Sequence, residues 1–297
     1  MVIIFNPAAG RRRAQLLWRV LDVMAVNGVK LEIVETGRAG HATELARAAA
    51  QSGRRLVVAA GGDGTIAEVA NGLAGSDCQL GIIPLGTANV LAQELALPFA
   101  PAAVAAALAF GRTRTMWPGL VLERGVIAPR LFVQMIGAGF DAQVVHRLSG
   151  ALKRALGRNA YVLQGLREVA RYGFAPIRLD IDGVVTEAGS VIVTKGRLYG
   201  GGYTLAPGAS PTERGFTVAL FDRAGPLSTL MYGAALPLNL ISKMPGVRLV
   251  RAQDISIVSA DVPAQADGDP AGQAPLTITN APHPIEVVVA SSTAQSF

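Results

Sequence analysis

Over the first third of the chain, apolar and polar positions follow two alternating rhythms. Short apolar runs at residues 2–5, 31–35, 56–59 and 80–83 have the length and flanks of buried strands. Each leads into a turn, and each turn into a segment with apolar residues at helical spacing. The helices so predicted run from about Arg11 to Gly28, with Leu16, Leu17, Val20, Val23 and Met24 on one face; from about His41 to Ser52; and from Ile66 to Leu73, stopped near Gly75. Two more follow, from Asn89 through Leu97 and over the alanine-rich residues 101–110. Strands alternating with helices predict a parallel sheet covered on both faces. Such sheets bind ligands at the carboxyl ends of their strands. Those ends carry Asn6-Pro7, Thr36, Gly61 to Thr65, and Gly86-Thr87 with Asn89. Their convergence is more specific than any one of them.

The rhythm changes after about Arg112. Residues 113–123, 131–136, 177–181, 190–195, 216–221, 247–251 and 255–259 read as strands, several of them alternating and joined by Gly/Asp turns. Helices interrupt at about 140–148, 159–172 and 227–241. This pattern predicts a second, β-rich domain of sandwich or barrel type. The division expected is an α/β domain over residues 1–112 and a β-rich domain over 113–279. A final Ile/Val run at 285–290 is compatible with either domain.

The sharpest chemical signal is Ala60-Gly61-Gly62-Asp63-Gly64-Thr65, between the strand at 56–59 and the helix that begins at Ile66. Three glycines leave the backbone bare. Unsatisfied amides at a helix N-terminus, reinforced by the helix dipole, form an anion site. Asp63 would repel a phosphate unless a metal ion lay between them. The turn therefore suggests a nucleotide phosphate chain with Mg2+, and phosphoryl transfer. The structural alternative is a tight strand-to-helix turn with Asp63 as N-cap.

Composition narrows the partners. With 297 residues, 51% hydrophobic and 16% charged, the chain can bury a substantial core. A net charge of +6 favours an anionic partner: nucleotide, nucleic acid or anionic membrane surface. Aromatics are only 5% and are not interleaved with basic residues, which argues against nucleic acid. The single Cys78 excludes an internal disulfide framework and, with three histidines, argues against a Cys/His zinc site. The N-terminal residues lack a basic n-region, and the best membrane-span candidate, residues 227–241, is short and broken by Pro237. These features lead to the expectation of a soluble cytoplasmic protein with peripheral contact to the inner face of the membrane.

Seven segments, in order along the chain, resemble the diacylglycerol kinase catalytic-domain family, in particular the soluble bacterial lipid kinases. Sphingosine kinases are relatives, and NAD kinases and phosphofructokinases more distant ones. The segments are Phe5-Asn6-Pro7-Ala8-Ala9-Gly10, Gly61-Gly62-Asp63-Gly64-Thr65, Pro84-Leu85-Gly86-Thr87-Ala88-Asn89, Gly137-Ala138-Gly139-Phe140-Asp141, Gly157-Arg158-Asn159-Ala160-Tyr161-Val162, Tyr199-Gly200-Gly201-Gly202-Tyr203 with Ala206-Pro207, and Asp267-Gly268-Asp269. The resemblance implies a nucleotide domain and a β-rich domain with the active site in the cleft, and a C-terminal tail, about 280–297, returning to the first domain. It implies ATP-dependent phosphorylation of a lipid hydroxyl with Mg2+.

By that resemblance, Asn6, Thr36, Gly61, Gly62, Asp63, Gly64, Thr65, Glu68, Gly86, Thr87 and Asn89 would serve the nucleotide, Asp63 through its Mg2+. Thr36 and Thr87 have hydroxyls that can donate to phosphate; their alternative is helix capping. Asn6 is equally consistent with an Asn-Pro turn. Asp267 matches the family's general base, which would take the proton of a lipid hydroxyl, with Asp269 as a second carboxylate. The alternative is a surface Asp-Gly turn, as read at Asp182-Gly183. Two departures stand out. The family usually has glutamate at the position of Asp269. Many relatives also hold a structural Mg2+ with an Asp-Gly pair after the Ala-Pro segment, whereas here Arg214 precedes Gly215, and a cation cannot ligate Mg2+. That metal is expected to be absent or differently bound, with Glu213 the only nearby substitute. Arg11, Arg12 and Arg13, and the cluster Lys153, Arg154 and Arg158, suit either phosphate and lipid headgroups or plain solvation. Two rival functions remain: an NAD kinase, or a binding module without catalysis.

Overall fold

The computed structural model describes residues 1–8, 14–126, 129–149, 152, 157 and 159–291. Arg11, Arg12, Arg13, Lys153, Arg154 and Arg158 lie outside them. The chain forms two compact units, Met1–Trp117 with Pro282–Phe297, and Pro118–Ala281.

In the first unit, β1 (Val2–Phe5), α1 (Ala14–Val26), β2 (Glu32–Glu35), α2 (His41–Gln51), β3 (Leu56–Gly61), α3 (Asp63–Leu73), β4 (Gln79–Pro84), α4 (Val90–Glu94), α5 (Pro101–Phe110) and β5 (Arg112–Met116) follow in turn. The strands β2-β1-β3-β4 pair in parallel. Successive side chains point to opposite faces of a strand, so Ile3, Phe5, Val58, Ala60 and Ile83 meet Leu17, Val20 and Met24 of α1 and Val104 and Leu108 of α5. On the other side α2 and α3 pack closely, and Gly72 permits this: a Cβ there would collide with the Thr43 carbonyl and with Ala46.

The second unit holds β6 (Gly119–Glu123), β7 (Arg130–Phe132), β8 (Met135–Ala138), α6 (Phe140–Arg147), α7 (Asn159–Val169), β9 (Ile177–Ile181), β10 (Val184–Ala188) and β11 (Ser190–Thr194). Beyond these come β12 (Leu198–Tyr199), β13 (Tyr203–Thr204), β14 (Phe216–Phe221), α8 (Pro226–Ala235), β15 (Val247–Ala252), β16 (Ile255–Ile257), β17 (Pro263–Ala266), β18 (Asp269–Gln273) and β19 (Leu276–Asn280). Two antiparallel sheets, β10-β9-β16-β19-β6-β7 and β15-β14-β11-β8-β17-β18, face each other as a sandwich. Phe132 of one stacks on Phe216 of the other at 5.9 Å, in space left by Gly119. The chain then returns to the first unit, where β20 (Ile285–Val289) lies between β4 and β5.

Three predicted elements are corrected. The strand at 113–123 is two strands in two different units, broken at Pro118, whose nitrogen has no hydrogen to donate to a ladder. The division therefore falls at Trp117/Pro118, not after Arg112. The strand at 131–136 breaks at Val133-Gln134, where the chain passes from one sheet of the sandwich to the other. The helix at 227–241 ends at Ala235, because Pro237 cannot continue it, and short 3-10 turns follow at Leu236–Leu238 and Ile241–Lys243.

Candidate active site

In the first unit the glycine turn joins β3 to α3. The N-cap is Gly62, in extended backbone, and Asp63 is the first helical residue. Asp63 is therefore not the N-cap of its own helix. Its Oδ1 accepts instead from the Leu91 amide at 3.3 Å, at the start of α4. Burial pushes the Asp63 carboxyl up in pKa, against the opposing pull of amides at Leu91, Val90 and Asn89. The turn after β4 comes equally close through its glycines: a Cβ on Gly86 would lie 2.6 Å from the Gly62 Cα.

Asn6, at the end of β1, closes the third side. Its Nδ2 donates to Thr65 Oγ1 at 3.0 Å, and its Oδ1 accepts from the Ala8 amide at 3.0 Å. Gly61 leaves room for Thr65, whose Oγ1 would be 2.5 Å from a Cβ there. Asn89 sits in left-handed backbone and is buried; its Nδ2 donates to the Gly86 carbonyl at 2.8 Å, while its Oδ1 has no hydrogen-bond partner among the described residues. Thr36 ends β2 beside β1, its amide donating to the Phe5 carbonyl, and Thr87 is exposed. Asn6, Gly61, Gly62, Gly64, Thr65, Gly86 and Asn89 thus surround one set of first-turn amides, which have no intrahelical acceptors. Glu68 faces elsewhere. Its Oε1 accepts from Gly40 N–H at 2.9 Å and its Oε2 from Ala42 N–H at 3.1 Å, capping α2.

In the second unit Asp267-Gly268 is a two-residue hairpin turn between β17 and β18, with Ala266 paired to Asp269 across it and φ of 51° and 84°. That is the geometry of a type I′ turn. The Asp-Gly turn given above as the alternative is therefore present, and Asp269 is the first residue of a strand. The Asp267 carboxylate turns back onto the sheet crossing. Oδ2 accepts from Val133 N–H at 2.8 Å, and Oδ1 from Gln134 N–H at 2.8 Å and Met135 N–H at 3.0 Å. Burial raises its pKa to about 6, outweighing these amides and Arg130.

The same turn is braced by residues that the sequence reading gave no role. Gly268 N–H donates to Gln265 Oε1 at 2.8 Å, and Gln265 Nε2 to Asp141 Oδ2 at 2.8 Å; Tyr199 donates its hydroxyl to Asp141 Oδ1. Burial raises the Asp141 carboxyl, and raises the Tyr199 phenol well above its ordinary value. Tyr161 of α7 reaches the turn as well, its hydroxyl 3.8 Å from where a Gly268 Cβ would be. Asp141, Tyr161, Tyr199 and Asp267 come from four of the segments quoted above, and that grouping was the available signal.

The loop before β14 is filled by a cation from the end of β11. Lys195 is fully buried, and its Nζ donates to the carbonyls of Glu213 at 2.9 Å and Gly215 at 2.6 Å, 4.8 Å from the Phe216 ring centroid. Burial lowers its pKa to about 8, with Arg251 and Arg214 adding to the effect. The Glu213 carboxylate, the substitute ligand considered above, pairs with Arg251 at 2.8 Å.

Comparison with known proteins gives the family. Residues 1–121 match the family described as diacylglycerol kinase catalytic domain, and residues 134–289 the family described as YegS C-terminal NAD kinase beta sandwich-like domain. A probable lipid kinase YegS-like protein of Pseudomonas fluorescens is 30% identical over 250 residues, 81% of each chain. The diacylglycerol kinase of Bacillus subtilis is 31% identical over 229 residues, 75% of this chain and 73% of that one. A solved structure of a putative diacylglycerol kinase from Bacillus anthracis has the same fold, with a TM-score of 0.76 over 98% of this chain and 97% of that one at 22% identity. An α/β unit matching the first family, followed by a sandwich matching the second, places the chain among the lipid kinases that these relatives represent. The chain belongs to the diacylglycerol kinase catalytic-domain family, of the YegS-like type.

Proposed function

We propose that this protein transfers the γ-phosphoryl group of ATP to the hydroxyl of a diacylglycerol-like lipid. The observation that carries the reading is Asp267: a half-buried carboxylate, raised to about 6, on a rigid turn held from both sides. Oδ1 already accepts two amides and Oδ2 only one, so Oδ2 has the spare lone pair for a proton. It takes the acceptor's hydroxyl proton as the new O–P bond forms and the bond to ADP breaks. General-base action of this kind contributes ~10²–10⁴-fold, and the rest of the acceleration comes from positioning and charge neutralisation. Asp269, the first residue of β18, is the second carboxylate beside this turn.

The phosphates lie at the first turn of α3, against the amides of Gly62, Gly64 and Thr65, with Gly86 admitting their close approach and Thr36 and Thr87 offering hydroxyls. The unpartnered Asn89 Oδ1 and the bare cradle of Gly62 and Gly86 are what such a ligand would complete. Asp63 and Glu68 support this site by fixing the starts of α4 and α2. The described residues contain no cluster of three or more His, Cys, Asp or Glu side chains able to hold a metal. Mg2+ is therefore assigned to the nucleotide, as is usual where the ion keeps its waters and phosphate ligands, with Asp63 Oδ2 the carboxylate oxygen nearest in role. Bound there, it would neutralise charge on the transferred group.

The test is an acceptor panel. Purified protein is incubated with γ-labelled ATP, Mg2+ and mixed micelles of diacylglycerol, monoacylglycerol, a long-chain base or an isoprenoid alcohol. The reading predicts label in diacylglycerol first; label in none of them, with ATP binding intact, would leave a binding module.

A further inference from the structure

Two helices of the second unit carry large apolar side chains on their outer faces as well as their inner ones. In an ordinary surface helix the apolar stripe faces the core and polar residues face water. On α7 the buried side chains include Gln164 and Glu168, joined by a 2.9 Å hydrogen bond, while Val162 and Leu166, one turn apart, are 63% and 57% exposed. On α8 the buried side is Tyr232 and Ala235, while Leu227, Leu230 and Met231 face outward at 72%, 45% and 45% exposure. The two helices pack against each other, and the turn after α8 adds Leu238, 67% exposed. Both helices of this packed pair thus present apolar side chains that the sandwich does not cover.

We propose that this surface docks the protein on an anionic lipid bilayer, with these side chains entering the headgroup boundary. Charge decides the occupant. Residues 224–242 carry no charge, and the run is bracketed by Arg223 and Lys243, both exposed. From Asn159 to Arg171 the one acidic residue, Glu168, is buried, while Arg167 and Arg171 are exposed. An apolar stripe with a basic rim and no exposed carboxylate between is the pattern of an interfacial helix on anionic lipid. A second copy of the chain would set that basic rim against itself, since a two-fold interface uses the same patch on both subunits. No helix among the described residues is long and apolar enough to cross a membrane, so these helices lie on it. Helix α7 reaches the candidate site from another of its faces, through Tyr161 beside the Asp267-Gly268 turn. The proposal deepens the lipid-kinase reading and rests on it for its purpose, since it names the side from which a membrane lipid would be presented.

The experiment is co-sedimentation of the full chain with vesicles of phosphatidylcholine alone, or with one third phosphatidylglycerol, with no ATP and no acceptor lipid. Binding is expected on the anionic vesicles and at least about tenfold weaker on neutral ones. The double variant Leu230→Glu/Met231→Glu, and separately Leu166→Glu, should lose at least about tenfold in partition. Both should keep the wild-type unfolding midpoint and the wild-type rate on a water-soluble short-chain acceptor, because the altered side chains are exposed. Wild-type binding by both variants, or no binding of the parent to either vesicle, would overturn the proposal. So would a dimer in solution that Leu230→Glu converts to monomer with vesicle binding unchanged. Docking without transfer to any lipid would sink the kinase reading and leave the docking surface standing.

Discussion

Asp267 and Asp182 occupy the same position in two copies of one turn. Each is the first residue of a two-residue Asp-Gly hairpin, with φ of 51° and 49°, followed by glycine at 84° and 86°. Each turns its carboxylate back onto amides of a neighbouring segment: Val133 to Met135 for Asp267, Gln253 and Asp254 for Asp182. They differ in surroundings. Asp182 is exposed, and Asp267 is half-buried with its pKa raised to about 6. Asp182→Asn should therefore cost roughly 1 kcal/mol of stability, as it surrenders amide bonds to one oxygen, whereas Asp267→Asn should cost less near neutral pH, because it also removes a charged carboxylate that burial disfavours. Only Asp267→Asn should lose activity, by about 10²-fold or more. Unfolding midpoints and transfer rates, measured side by side, check both halves.

The raised Asp267 carboxyl fixes the sign of two pH effects. As a base it works ionised, so transfer should rise as pH passes upward through about 6 and then level off. For stability, burial makes the folded state bind this proton more tightly than the unfolded chain, where aspartate titrates at about 3.9. Asp267 therefore contributes a fall in stability as pH rises from about 4 to about 6. Denaturant titrations across that window should show the fall in the parent and its loss in Asp267→Asn.

Much of the first unit was legible because its signals are local. The runs before Asn6 and Gly61 are apolar and short, and each ends at a turn that only small residues can make. The tasks of Asp63 and Glu68 were not legible, since the amides they accept, Leu91 and Gly40, are each 28 residues away. In the second unit β17 and β18 consist of Pro-Ala-Gln-Ala and Asp-Pro-Ala-Gly-Gln, with no β-branched residue to announce a strand. β17 is paired by β8, far off in the chain, and β18 by β17. The same distance hid the bonds joining Asp141 to Tyr199 and Gln265. On α8 the sequence marked a short apolar run but not which of its side chains face outward.

Lys195 gives a second pH signature of opposite sign. Burial favours its neutral amine, so the folded state binds this proton less tightly than the unfolded chain, where lysine titrates at about 10.4. Its contribution to stability should rise as pH goes from about 8 to about 10. Lys195→Met should abolish that rise and lower stability by ~1–3 kcal/mol, because the Glu213 and Gly215 carbonyls lose their buried donor. Chemical denaturation at pH 7 and across the alkaline window tests both.

Gly86 should matter for nucleotide more than for folding. In Gly86→Ala the new Cβ meets the Gly62 backbone, so the turns after β3 and β4 must separate. We expect the KM for ATP to rise about tenfold or more, the size of one misplaced phosphate contact at ~1.4 kcal/mol. Gly208→Ala, where a Cβ meets nothing within 4 Å, should leave it unchanged.

The most direct measurement offers the wild-type protein γ-labelled ATP and Mg2+ with diacylglycerol micelles and NAD present together, then separates the products. The account predicts label in the lipid phosphate, little in NAD, and loss of the lipid label in Asp267→Asn. Label in NAD instead of lipid, or lipid label undiminished in Asp267→Asn, would contradict it.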